Sequence, residues 1–308
     1  MLRSLKNGNM LNYISSKAPW LLIAFCFLGF LVPGISIHVF KILPFVLFFL
    51  MFFTLVGLDQ KALLKSLVRP KGWLYAVIHT FGMIALCGAV IMMFGLNQDH
   101  ALAMLGVAAT GSLFATPAIV RSIGLDYFSA MTYTITSTLL KPVALYATLW
   151  WAYNDHFELD MQAYLIKLIV YIVGPIALSF VIHAFVDLSK IKKVHAELAK
   201  YNIMLVFLFP LGLMGDFRQL WDASPEHALH LFLLGFVLCL SFFVTAYLIF
   251  KFTDCDEAMI AAITSGNRNV LLTYTIAGAY LGPLFLPLVG ALQLPIYLQP
   301  LLIKRLMK

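Results

Sequence analysis

Residues 263–272 read ITSGNRNVLL, a polar knot inside an apolar run long enough to cross a bilayer. Gly266, Asn267, Arg268 and Asn269 stand side by side in it. An arginine at a lipid-facing helix centre costs about 2.5–3.5 kcal/mol on insertion scales, so the stretch faces the protein interior. Two roles are open to Arg268. It ties down the loose carbonyls of an interrupted helix, or it coordinates a substrate or ion directly.

The rest of the chain is built to match. Of 308 residues, 62% are hydrophobic and 11% charged, where a soluble protein carries about 25% charged residues. Apolar windows of 18 or more residues recur along its length, which identifies a polytopic membrane protein. Barrel strands would alternate with a period of two, and these runs do not, so the expected class is all-α. The first run follows a basic head (Arg3, Lys6, Lys17) without a small-residue cleavage site, and reads as an uncleaved first helix. Cys26, Cys87, Cys239 and Cys255 have neither metal-ligand nor CxxC spacing and read as packing residues. The net charge of +7 reflects loops on the cytoplasmic face rather than affinity for nucleic acid.

Ten spans can be drawn, at about 19–37, 42–58, 72–95, 100–124, 127–151, 163–186, 201–215, 228–250, 257–280 and 283–303. Of the 21 Lys and Arg, sixteen fall on one side of that drawing and three (Lys41, Lys167, Arg218) on the other. Lys141 and Arg268 remain within spans. The bias places both termini in the cytoplasm, with Asp99, Asp155, Glu158 and Asp216 among the acids opposite. Ten spans divide into two five-helix halves, 1–160 and 161–308, which must insert with opposite orientation, the mark of an inverted repeat. The fourth and ninth spans then correspond, and both are interrupted: TGSLFATP (110–117) in one, TSGNRN (264–269) in the other. Paired breaks of this kind point to a transporter's binding site. Their free backbone groups need a wet or ligand-filled cavity. Ser112, Thr116, Ser265, Asn267, Arg268 and Asn269 are the candidate binding residues there.

Thr134, Thr138 and Lys141 follow at i, i+4 and i+7 and share one helix face. Pro142 removes a donor and frees the Thr138 carbonyl. The face is either a cavity wall ending in a cation, or a stripe of hydroxyls back-bonded to their own helix with Lys141 snorkelling outward. His79 is deep enough in the third span to carry a proton, whereas His183 reads as a packed residue. Arg121 and Ser122 read as a cytoplasmic helix end, and Asp254, Asp256 and Glu257 as caps of the ninth span.

Three motifs resemble the bile acid:sodium symporter family, within the superfamily of bile-acid, auxin and arsenite carriers. FFLMFFTLVGLDQKALLKSLVRPKGW (48–73) is similar to the family's second helix and following turn. TITSTLLKP (134–142) is similar to its fifth-helix S-T-L-L-x-P, with Lys141 in place of a small residue. The two breaks are similar to its crossing fourth and ninth helices. The resemblance implies a panel of helices 1, 2, 6 and 7 and a core of helices 3–5 and 8–10, with alternating access between them. It also implies specific losses. Ala262 stands where sodium-coupled members carry a glutamate, Ala115–Thr116 where they carry Ser-Asn, and His79–Thr80 near their third-helix glutamine, while Thr134 is retained. Arg268 and Lys141 add positive charge where sodium would bind, and the loss of a carboxylate weakens any sodium site.

The expected function is secondary active transport of a small organic anion in a bacterial-type inner (plasma) membrane. Sodium coupling is doubtful, and protons are the other possible coupling ion. No further cofactor and no nucleic-acid partner is expected; the surrounding lipid is. A sodium-coupled bile-acid-type symporter and a non-transporting sensor on the same fold are the alternatives. The sequence lacks a phosphate-binding Gly-x-x-x-x-Gly-Lys-[Ser/Thr] loop and an HExxH metal motif, which argues against an ATP-driven pump and an intramembrane metalloprotease.

Overall fold

The computed structural model describes residues 17–153 and 159–306. The basic head at Arg3 and Lys6, and the acids Asp155 and Glu158, lie outside the described residues. Helices account for nearly everything within them, and the only extended pairing there is an isolated antiparallel bridge.

Proline and glycine set the helix boundaries. Helix α1 (Ala18–Leu31) meets α2 (Pro33–Val56) at Val32. Pro33 has no N–H and drives its predecessor out of the helical region, so the chain turns there. The sequence reading set that junction near 38–41, and the structure moves it to this proline. Helix α3 (Gln60–Leu67) is a short amphipathic piece capped by Asp59, whose carboxylate accepts from the Lys61 and Ala62 amides. Helix α4 (Pro70–Phe94) is long and contains a π turn at Ile78–Gly82. Helix α5 (Gln98–Ala108) stops in mid-bundle, and α6 (Thr116–Ile123) resumes after an irregular stretch, with Pro117 in its first turn. Gly124 ends α6 at φ 98°, a left-handed conformation that favours glycine. Helix α7 (Tyr127–Tyr153) follows.

The chain then continues through further helices. Helix α8 (Met161–Phe185) leads to α9 (Leu188–Ala223), a single helix of 36 residues. The sequence reading gave this span only 201–215. No glycine or proline interrupts 188–209, so the polar first turns continue straight into the apolar ones. Helix α10 (Pro225–Phe250) precedes α11 (Cys255–Gly266), which breaks at 267–269 before α12 (Val270–Ala277). Helix α13 (Phe285–Leu306) completes the bundle.

Five of these helices, α2, α4, α8, α10 and α13, are long and apolar enough to cross a membrane. Large apolar side chains point outward: Leu31, Phe45, Met93, Val143 and Leu240 are all more than 60% exposed. Polar side chains point inward, with His79, Thr110, Ser112, Thr134, Lys141, Thr264 and Asn267 fully buried. A water-soluble protein of this kind would aggregate through its apolar exterior. This is the build of an all-α integral membrane protein. Helix α9 packs on α1 and α2, and α8 on α2, while α4, α6 and α11 pack on α7 and α10 packs on α11 and α13.

Helix α7 carries more buried hydroxyls than any other helix among the described residues, and Asp126 anchors its start. The carboxylate accepts from the Phe128 amide at 3.1 Å and the Ser129 amide at 2.9 Å. Burial works to raise this carboxyl, but the bonds from Ser129 and Phe128 prevail and hold it below the usual carboxylate range. A depressed carboxyl contributes stability that is present at neutral pH and lost as pH falls through its folded-state titration. Asp126→Ala is therefore expected to cost about 1 kcal/mol at neutral pH. The gap to wild type should narrow as pH drops below the carboxylate range, as read by thermal melts in detergent.

Candidate functional site

The two breaks meet. The Leu113 amide donates to the Asn267 carbonyl at 2.9 Å, and the Asn269 amide donates to the Gly111 carbonyl at 2.9 Å. Ser112 and Arg268 thus form an antiparallel bridge, a two-stranded ribbon one residue pair long in the middle of a helical bundle. In a low-dielectric interior this pairing satisfies backbone groups that the interrupted helices cannot. Two glycines sit where the approach is closest. A Cβ on Gly111 would lie 3.1 Å from the Cα of Thr138 on α7, and one on Gly266 would collide with the Gln299 amide from α13. Helix α7 also caps the first break directly, because Ser137 Oγ receives the Ser112 amide at 3.1 Å.

Arg268 lies at the centre, 2% exposed. Its Nε donates to the Ser265 carbonyl at 2.9 Å, one Nη donates to those of Ala108 and Thr110 at 2.9 and 3.1 Å, and the other donates to that of His79 at 2.9 Å. The guanidinium carbon lies 4.3 Å from the centre of the Phe242 ring. Four of its five N–H donors are used on carbonyl oxygens. Ala108 and Ser265 belong to the last turns of α5 and α11, so the cation sits at the negative ends of two helix dipoles. Of the two roles the sequence left open, this arrangement has the geometry of the first.

His79 lies in the π turn of α4 and touches both breaks. Its Nε2 lies 3.1 Å from the Thr110 carbonyl, which only accepts, so Nε2 carries a proton. Nδ1 lies 2.8 Å from the Tyr75 hydroxyl and 3.1 Å from Ser265 Oγ. Asn267 donates to the Ile263 carbonyl and to Gln299 Oε1 at 2.8 and 2.7 Å. Asn269 caps α12 by accepting the Leu272 amide. The hydroxyls of Thr134 and Thr138 donate to carbonyls of their own helix, at Ala130 and Thr134. The threonine stripe therefore back-bonds and does not line a cavity with its hydroxyls. Lys141 does the opposite of snorkelling: it is fully buried, with Nζ 3.5 Å from the Asn269 carbonyl.

Five buried side-chain atoms make no hydrogen bond among the described residues: Ser112 Oγ, Thr116 Oγ1, Asn267 Oδ1, Asn269 Nδ2 and Thr273 Oγ1. All belong to the two breaks or the first turn of the half-helix that follows each. Buried polar atoms are nearly always satisfied by protein or ordered water, so this concentration sets the breaks apart from the rest of the interior. A small cavity opens beside it, with Asn269, Gln293 and Tyr297 on one side and Phe209 and Leu213 of α9 on the other.

Several residues here escaped the sequence reading. Gln293 and Gln299 are polar residues within the last apolar run, a signal the sequence did contain. Tyr75, one turn before His79, and Phe242 are legible only from tertiary packing. Glu257 does more than cap: it pairs with Lys71 at 2.8 Å and accepts a hydrogen bond from Tyr133, tying α11 to α4 and α7. Asp254 is the residue that caps α11. His183 packs against the Val56 carbonyl at 2.9 Å. Arg121 is exposed at the end of α6, and the Ser122 side chain lies outside the described residues. In sequence comparison, no family model and no curated protein matches the chain.

Removing the guanidinium strands four carbonyls. Arg268→Leu is expected to destabilise the protein by about 3 kcal/mol or more. Arg268→Lys should recover only part of this, since one ammonium cannot reach all four oxygens. An unchanged melting temperature in Arg268→Leu would contradict the structural role.

Proposed function

We propose that the chain is a secondary active transporter of a small organic anion, built like the bile acid:sodium symporters but without their sodium dependence. On this reading ten transmembrane segments form two inverted repeats, α1, α2, α4, α5/α6 and α7 against α8, α9, α10, α11/α12 and α13. Both termini are cytoplasmic, in an inner (plasma) membrane. The observation that carries the reading is the antiparallel meeting of two interrupted helices, one from each half, at a cluster of unsatisfied polar side chains.

The chemistry of the cluster favours an anion. Helices α6 and α12 begin at the breaks and turn their positive ends toward them. Asn269 Nδ2 and the hydroxyls of Ser112 and Thr116 supply further donors. Arg268 takes the part of a fixed cation, since four carbonyl oxygens surround its guanidinium much as oxygens surround a bound metal ion. In this reading α1, α2, α8 and α9 are the panel and the other spans the core. The cavity between Phe209 and Asn269 lies on their boundary, and movement of one group against the other would open it to either side in turn.

Uptake assays in proteoliposomes with a panel of radiolabelled small carboxylates test this. Accumulation of at least one anion is expected in sodium-free buffer at a rate within about twofold of that with sodium. Uptake that disappears without sodium would restore the sodium-symporter reading. Ligand-induced thermal stabilisation with no flux for any of the panel would favour the sensor.

A further inference from the structure

Two cations are buried at the crossover, and only one is provided for. Arg268 has four carbonyl acceptors, whereas Lys141 has one, the Asn269 carbonyl at 3.5 Å. Lys141 is nonetheless fully buried. Among the described residues its surroundings hold no counter-charge. Among the ionisable groups on the segments packed around α7, Tyr75 and His79 on α4 bond to each other, and Arg268 is occupied by carbonyls. Glu257 on α11 is paired with Lys71, and the Tyr164 hydroxyl on α8 donates to the Pro142 carbonyl. Asp99 on α5 and Arg121 on α6 lie near the outer ends of their helices. None of these groups bonds to Lys141 Nζ among the described residues.

The local field makes matters worse for a second cation. Asn269 is the N-cap of α12, so the amine lies close to the positive end of a half-helix. An ammonium buried without a partner is costly, whereas an uncharged amine is not. An anion arriving at the break would reverse that balance, because it supplies the missing counter-charge.

We propose that Lys141 is a proton-binding site that takes up a proton from the aqueous phase when the crossover opens, and that an entering anion holds this proton in place. The first part stands on the burial and bonding of Lys141, and the second rests on the transport reading above. Only a proton is exchanged: on opening the Nζ lone pair forms an N–H bond with a proton released by hydronium or water, and on closing without an anion that proton returns to the aqueous phase. With a monovalent anion the loaded site would gain no net charge, and the coupling ion would be the proton.

Hydrogen exchange of the full-length protein in detergent tests the first part without a substrate. Amides in peptides covering 109–116 and 266–271 are followed across pH 7–9, with the intrinsic pH dependence of exchange divided out. If opening is linked to one proton, protection of the wild type falls about tenfold for each unit of pH lowered. Lys141→Met should show a flat profile, and Lys141→Arg, always charged, low protection throughout. If Lys141→Met is not recovered folded, Lys141→Gln serves as the uncharged variant. A flat wild-type profile, or a slope that survives in the uncharged variant, overturns the proposal. Neither result bears on whether the protein transports anions, which the liposome assay decides separately.

Discussion

One guanidinium and four carbonyls hold this fold together. Two helices that stop in the middle of the bundle expose the carbonyls of their last turns, away from bulk water. In this protein the C-terminal ends of α5 and α11 meet, so two negative dipole ends are brought face to face. Without a cation that encounter is repulsive. Arg268 makes it cohesive, and its planar fork reaches acceptors on three chain segments at once: Ala108 and Thr110, His79, and Ser265. The Ser112–Arg268 bridge then follows, since the residue that carries the charge also pairs its backbone with the opposite break.

Other features of the interior serve that contact. Gly111 lets the first break lie against α7, and Gly266 lets Gln299 reach Asn267. The π turn of α4 brings the His79 carbonyl to the guanidinium while its ring bonds to both breaks. Phe242 closes the remaining side with an aromatic face. Their common effect is asymmetric. The negative ends of the half-helices are neutralised from within the chain. The positive ends, at Thr116 and Asn269, lie beside side-chain atoms that make no hydrogen bond among the described residues.

The sequence made the outline of this arrangement legible and hid its wiring. Two polar interruptions in an apolar chain were enough to find both breaks, because a Gly or Asn inside an apolar run is costly unless it is used. Boundaries set by a single residue were harder. Pro33 splits what hydropathy reads as continuous, and α9 runs on through polar turns that hydropathy reads as loop. The periodicity of Thr134, Thr138 and Lys141 correctly placed them on one face but could not show which way a hydroxyl turns. Back-bonding to the preceding turn is a local choice that spacing does not encode. The partners of Arg268 were beyond reach for another reason. All four are backbone carbonyls, and every residue type has one.

Arg268 and Lys141 also show why two buried cations in one site need not behave alike. Both are nearly inaccessible, and Lys141 reaches the backbone of Asn269, the residue that follows Arg268 in its break. The guanidinium spreads its charge over several donors and finds a carbonyl for four of them, so it stays charged as part of the scaffold. The amine concentrates its charge on one nitrogen that reaches a single distant carbonyl. In a closed interior the first group has no reason to change its protonation and the second has every reason to. Fixed charge and exchangeable charge are thereby assigned to different residues. A crossover can then keep its architecture while its net charge varies.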